Sequence, residues 1–133
     1  MTLYQKGDTF ERDCCIRGSI VYYNESGKSE VLEFFNGLDD VNKRKVMMLF
    51  KRMGDFGRIS DVTKFRNEGD KIFAFKPQPN RFLSFFYMGK KIIVTNAFCK
   101  KCQKIPEEEK QKALYRKENY EQRVASGAYY AED

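Results

Sequence analysis

A chain with no histidine concentrates its candidate chemistry in cations: Lys64, Arg66, Lys76, Arg81, Lys100, Lys101 and Lys104 all fall within one stretch. Histidine is the commonest general acid and base, and nothing here resembles a serine or cysteine triad. Neither a metal-binding carboxylate cluster nor a phosphate-binding glycine loop is present in the sequence. Triad hydrolases and nucleotide-binding enzymes are therefore set aside. Lysine and arginine in this density suit the binding of phosphates, with arginine able to grip two phosphate oxygens at once.

The distribution of charge supports a polyanionic partner more than the total does. The chain of 133 residues has a net charge of +6, from 25 Lys and Arg against 19 Asp and Glu. From Met1 to Gly57 the net charge is 0, from Arg58 to Pro106 it is +8, and from Glu107 to Asp133 it is −2. The plainer reading of any one of these cations is a solvated residue on the outer face of a sheet, and that reading stays open. Only the summed excess over Arg58 to Pro106 favours a nucleic acid.

Four cysteines, Cys14, Cys15, Cys99 and Cys102, include one Cys-x-x-Cys spacing. Adjacent cysteines rarely serve as two ligands of one tetrahedral zinc site, so free thiols in a reducing cytosol are expected and no metal ligand is assigned. No stretch is long and apolar enough for a membrane span, and residues 1–13 lack the apolar centre of a secretory signal. The expectation is a cytoplasmic protein without a membrane or small-molecule cofactor.

The elements that must position the cations follow from periodicity. Residues 1–18 show no period and read as an N-terminal extension, and residues 19–125 read as one domain. Ser19 to Tyr23 predicts a strand, and Asn24 to Gly27 a turn. Ser29 is a helix cap, with Val31, Phe34, Phe35 and Leu38 on one helical face. Asp39 or Asp40 opens a second helix with Val46, Leu49, Phe50 and Met53 inward, ended by Gly54 and Gly57; a link this short makes a helical hairpin.

From Val62 the period changes to that of strands. Val62 to Arg66, Lys71 to Lys76, Phe82 to Tyr87 and Ile92 to Phe98 are separated by turn formers and predict an antiparallel meander. Alternation places Lys64 and Arg66 on one face with Phe65 on the other. Pro106 with Glu107 to Glu109 opens a last helix, expected at the sheet edge, and residues 126–133 read as a disordered tail. The fold class is therefore α+β: an antiparallel sheet of four to five strands, with the hairpin on one face and a cationic face open to RNA. Phe73, Phe75, Phe86 or Tyr87 could stack bases there, although core packing is the commoner use of such residues.

Several short motifs resemble the RelE superfamily of toxins, in particular its HigB-like, phage-derived group. They are Ile20-Val21-Tyr22-Tyr23, Gly27-Lys28-Ser29 leading into Val31-Leu32-Glu33-Phe34, Lys64-Phe65-Arg66, Arg81-Phe82 and Phe86-Tyr87. The most specific is Ala97-Phe98-Cys99-Lys100-Lys101-Cys102-Gln103-Lys104-Ile105-Pro106, similar to that family's Phe-x-Lys-Lys-Thr-Gln-Lys-Thr-Pro segment. The resemblance implies a RelE-like fold and a type II toxin–antitoxin toxin, an endoribonuclease cleaving messenger RNA on the ribosome. It also implies a cognate helix-turn-helix antitoxin as partner and attack by the RNA 2′-hydroxyl, with no metal or other cofactor.

Carried over by position, the resemblance makes Lys64, Lys76, Arg81 and Lys101 catalytic, with Arg66, Lys100, Lys104 and Tyr87 binding RNA. Arg81 and Lys76 would hold the phosphate, and Lys64 or Lys101 would move the proton, since crowded cations lower one another's pKa. Ile72-Phe73-Ala74-Phe75-Lys76 stands where that family usually has Trp-Glu-Leu-Arg, so the acidic residue is absent and a lysine replaces an arginine. That departure keeps a second reading open, a non-enzymatic protein that occupies RNA or the ribosome.

Overall fold

Helix starts leave four backbone donors open, and Ser29 closes one by accepting the Leu32 N–H on its hydroxyl oxygen (3.2 Å). α1 (Glu30–Asn36) follows, burying Val31 and Phe35. Asp39 repeats the device by accepting the Asn42 N–H (2.8 Å) at the start of α2 (Asp40–Phe56). Val46, Leu49, Phe50 and Met53 are buried along α2 as their spacing predicts. The helix runs through Gly54 to Phe56, because this buried stripe outweighs a glycine penalty of about 1 kcal/mol.

The computed structural model describes residues 15–16, 19–56, 59, 61–87, 91–99 and 106–129. Its strands are β1 (Cys15–Ile16), β2 (Ser19–Val21), β3 (Phe65–Asn67), β4 (Phe73–Phe75), β5 (Asn80–Tyr87) and β6 (Lys91–Cys99). They form one sheet in the order β1-β2-β6-β5-β4-β3, and the chain is α+β as its periodicities require. The meander from β3 to β6 is antiparallel throughout. β2 instead lies parallel to β6, and β1, inside the stretch read as an extension, adds a sixth, edge strand.

Two apolar layers sandwich this sheet. Toward the hairpin lie Val21, Phe75, Phe82, Val94 and Ala97, with Phe50 edge-on to Phe75 (4.3 Å between centroids) and Phe82 (5.8 Å). On the other face lie Ile72, Ala74, Leu83, Phe85 and Ile93, covered by Ala113 and Tyr120 of α3 (Glu107–Ala125). The expected edge position of the last helix is therefore corrected: it closes the second face. β5 is buried from Asn80 through Phe85, on both faces, so the described residues form no broad cationic sheet face.

β6 carries one residue more than β5 opposite it. Leu83 pairs with Asn96 while Ser84 pairs with Val94, which leaves Thr95 as a bulge. Its hydroxyl donates to Leu83 O (3.2 Å) and its carbonyl accepts from Arg116 Nη1 (2.9 Å). The Asn96 amide reaches the Glu109 carboxylate (2.8 Å). Glu30 of α1 meets Arg116 (3.0 Å) and Lys112 (3.1 Å) of α3 and also accepts the Ala97 N–H (3.4 Å).

Ser126 to Tyr129, expected in a disordered tail, fold back over the second core. The Tyr129 hydroxyl accepts the Tyr23 N–H (2.8 Å), and its ring packs edge-on against Tyr120 (4.7 Å) beneath the Arg123 guanidinium. Residues 1–14 and 130–133, parts of the expected extension and tail, lie outside the described residues.

Removing the Glu30 carboxylate takes a partner from Arg116, Lys112 and the Ala97 N–H together, leaving Lys112 with Glu109 and Arg116 with the Thr95 carbonyl. Glu30→Ala is expected to lower the unfolding free energy by about 1–3 kcal/mol, read as a urea midpoint shift. Asp61 and Glu25 are held below the usual carboxylate range, Asp61 by hydrogen bonds from Thr63 and Glu25 by one from Asn119. Their contribution is complete above the unfolded-state pKa near about 4 and falls away as pH drops through the lowered folded values. Stability measured against pH should therefore have a shallower acid limb in Asp61→Asn, Glu25→Gln than in the parent chain.

Candidate functional site

Arg81 is the second residue of β5, opposite Phe98, and alternation puts it on the α3 side of the sheet with Leu83 and Phe85. It is only 7% exposed. Its Nη1 donates to Asn80 O (3.0 Å) and Gln78 Oε1 (3.2 Å), both neutral acceptors. Nε is buried without a hydrogen-bond partner, and among the described residues no carboxylate forms an ion pair with Arg81. Burial pushes its pKa down, while the charge of Glu68 acts to raise it. A cation held this way carries a desolvation cost that an incoming anion would relieve.

α3 does not reach this end of the face. Its first turn meets Asn96, and Tyr120 covers Phe85 (5.8 Å) and Tyr87 (5.2 Å), so the helix runs away from Arg81. Arg66, exposed on β3, pairs with Ala74 and shares the Arg81 face. Strand spacing puts the two backbones roughly 12 Å apart, within reach of successive phosphates of one strand.

The other expected site residues scatter. Lys76 continues β4 toward Arg81, but its Nζ donates to Val62 O (2.9 Å) and so holds the preceding turn. Lys64 does not share a face with Arg66: Asp61 to Lys64 form a turn capped by Asp61, and β3 begins only at Phe65. Lys64 instead lines a cleft beside α2. Tyr87 lies six positions along β5 from Arg81, about 20 Å away, with its ring packed on Tyr120. Lys100, Lys101 and Lys104 lie outside the described residues.

Base stacking by the phenylalanines is also redirected. Phe73, Phe75 and Phe86 sit on the hairpin face, opposite to Arg81, where Phe75 is fully buried and Phe73 stacks on Phe65 (5.5 Å). The residues that sequence reasoning missed are Gln78 and Glu68. Gln78 orients Arg81 from a Pro-Gln-Pro turn three positions away, and Glu68 supplies a negative field that residues 72–76 lack. Its signal was the alternation Arg66, Glu68. Among the described residues no group of three His, Cys, Asp or Glu could hold a metal. Cys99 is an exposed free thiol, whereas Cys14, Cys102 and the Cys15 side chain lie outside the described residues. No described helix is long and apolar enough to cross a membrane.

The family model of the phage-derived Gp49-like proteins (DUF891) matches residues 33–118, well over half of the chain. The chain belongs to this family. The Gp49-like match runs from α1 into α3 and takes in the whole meander, with Arg66, Lys76 and Arg81 inside it. Gp49-like proteins are of the RelE/HigB-like toxin kind. No curated protein matches the chain.

A guanidinium kept buried for ligand binding should cost stability. In this Gp49-like protein Arg81→Met is expected to leave the unfolding free energy unchanged or raise it by up to about 2 kcal/mol. A loss of similar size in urea unfolding would make Arg81 a structural residue instead.

Proposed function

We propose that this Gp49-like protein is the toxin of a type II toxin–antitoxin system and cuts messenger RNA on the ribosome. The observation that carries the reading is Arg81, a buried guanidinium without an ion pair among the described residues, at an end of the sheet face that α3 does not reach and that also presents Arg66. In the reaction the RNA 2′-oxygen forms a bond to the adjacent phosphorus while the bond to the 5′-oxygen breaks. One proton leaves the 2′-hydroxyl and one reaches the departing 5′-oxygen.

Arg81 would neutralise the charge that grows on the phosphorane, and Arg66 would hold the neighbouring backbone. Lys76 positions the turn before β3. Lys101 keeps the proton-transfer role that family resemblance assigns, with Lys100 and Lys104 on the RNA backbone. Ribosomal action implies a cytoplasmic protein, and a helix-turn-helix antitoxin is the expected inhibitor. The route calls on no metal or other cofactor.

A second reading, occupation of RNA or the ribosome without cleavage, is favoured by one observation. Lys76, which stands where an arginine is usual, spends its amino group on the Val62 carbonyl. Inducing the chain and mapping transcript ends separates the two. Cleavage predicts new cuts inside translated frames, with Arg81→Ala reducing the cutting rate by roughly 10²–10³ at little change in ribosome binding. Intact transcripts, with binding weakened by the same substitution, would support the non-enzymatic protein.

A further inference from the structure

α2 carries five cations, Lys43, Arg44, Lys45, Lys51 and Arg52, none of them part of the site around Arg81. Two of these, Lys45 and Arg52, turn with Lys64 into a cleft of about 260 Å³ between α2 and the loop that joins β4 to β5. Neither Arg52 nor Lys64 makes an ion pair among the described residues. Asp61 lies in their field but gives its carboxylate to Thr63. Lys45 makes one long bond to Gln78 O (3.3 Å).

Met48, Leu49 and Pro77 give the described lining an apolar part, and Gln78 adds a neutral polar one. Leu49 and Pro77 form a buried wall, and Met48 stands 66% exposed on a helix face otherwise rich in charge. Cations around an apolar wall match a nucleotide, whose phosphate is anionic and whose base is a flat apolar surface. The volume is just under the usual range for free small-molecule sites, which suits one unit of a longer strand.

Gln78 joins the cleft to the first site. It lines the cleft while its Oε1 accepts from Arg81 Nη1, so the 77–80 loop is a shared wall. We propose that the cleft of Lys45, Met48, Arg52 and Lys64 is a nucleotide subsite for a single-stranded RNA whose neighbouring phosphate lies at Arg81. The assignment of Arg81 rests on the function proposed above; the cleft itself is argued from its own lining.

The test follows the methyl signal of Met48 in the full chain labelled at its methionine methyl groups, assigned with Met48→Leu. The probe is a 2′-O-methyl single-stranded hexaribonucleotide, which cannot be cut. It is expected to shift the Met48 methyl, whereas inorganic phosphate at equal charge is not. Arg52→Glu, Lys64→Glu should weaken binding about tenfold and flatten the salt dependence by about 1.4 in log–log slope, two phosphate contacts' worth.

No binding of the oligonucleotide, binding with a silent Met48 methyl, or an unchanged salt slope in the double variant would overturn the proposal. So would a larger Met48 shift from polyglutamate than from RNA, which would make the cleft a docking site for an acidic protein. A chain that shifts at Met48 but leaves transcripts intact keeps the subsite and loses the endonuclease. One that cuts RNA with a silent methyl does the reverse.

Discussion

The architecture depends on one extra residue in β6. Thr95 breaks the ladder between the two longest strands, and a strand interrupted in the middle of a sheet exposes backbone groups that must find partners. The parallel strand β2 ends at Val21, with a last ladder bond from Tyr22 N to Val94 O, just before the bulge. Beyond that point Arg116 serves the Thr95 carbonyl and Glu30 serves the Ala97 N–H. Because Glu30 and Arg116 also pair with each other, the same contact ties a helix of one layer to a helix of the other across the sheet margin.

This arrangement decides where a ligand site can form. Before the bulge, β5 and β6 are closed on both faces by aromatic and aliphatic side chains, and α3 lies over them. Beyond it, the pairing shifts by one, and the face that bears Leu83 continues into Arg81 and Phe98 at an end that α3 does not reach. Among the described residues the cations of this sheet face, Arg66 and Arg81, thus lie at one corner of it. There, burial strengthens the attraction of a guanidinium for an anion at the cost of keeping it dry when empty.

The helical hairpin contributes more than a lid on the core. Its inward stripe grips Phe75 and Phe82, while its outer residues bring Lys45 and Arg52 beside the loop that presents Arg81. A single loop, Pro77 to Asn80, touches both groups, so under the proposed function one strand of RNA would meet both. This economy is possible because the loop residue Gln78 has a carbonyl on Lys45 and a side chain on Arg81.

Much of the fold was legible in the sequence because local rules operate locally. Ser29 and Asp39 start their helices, the apolar spacings of both hairpin helices face inward, and the turn formers divide the meander, all from interactions within a few residues. The family resemblance singles out Arg81 without any structure, and the fold adds that its guanidinium is buried without an ion pair among the described residues. What periodicity cannot register is an added residue: Val94 and Ala97 share a face only because Thr95 bulges, and Lys64 parts from Arg66 only because Asp61 caps a turn. Nor can it tell which face a weakly apolar helix covers. α3 has a thin stripe, and its place on the second face is set by long-range partners, Glu30, Thr95 and Tyr22, that only tertiary packing brings to Arg116 and Asn119.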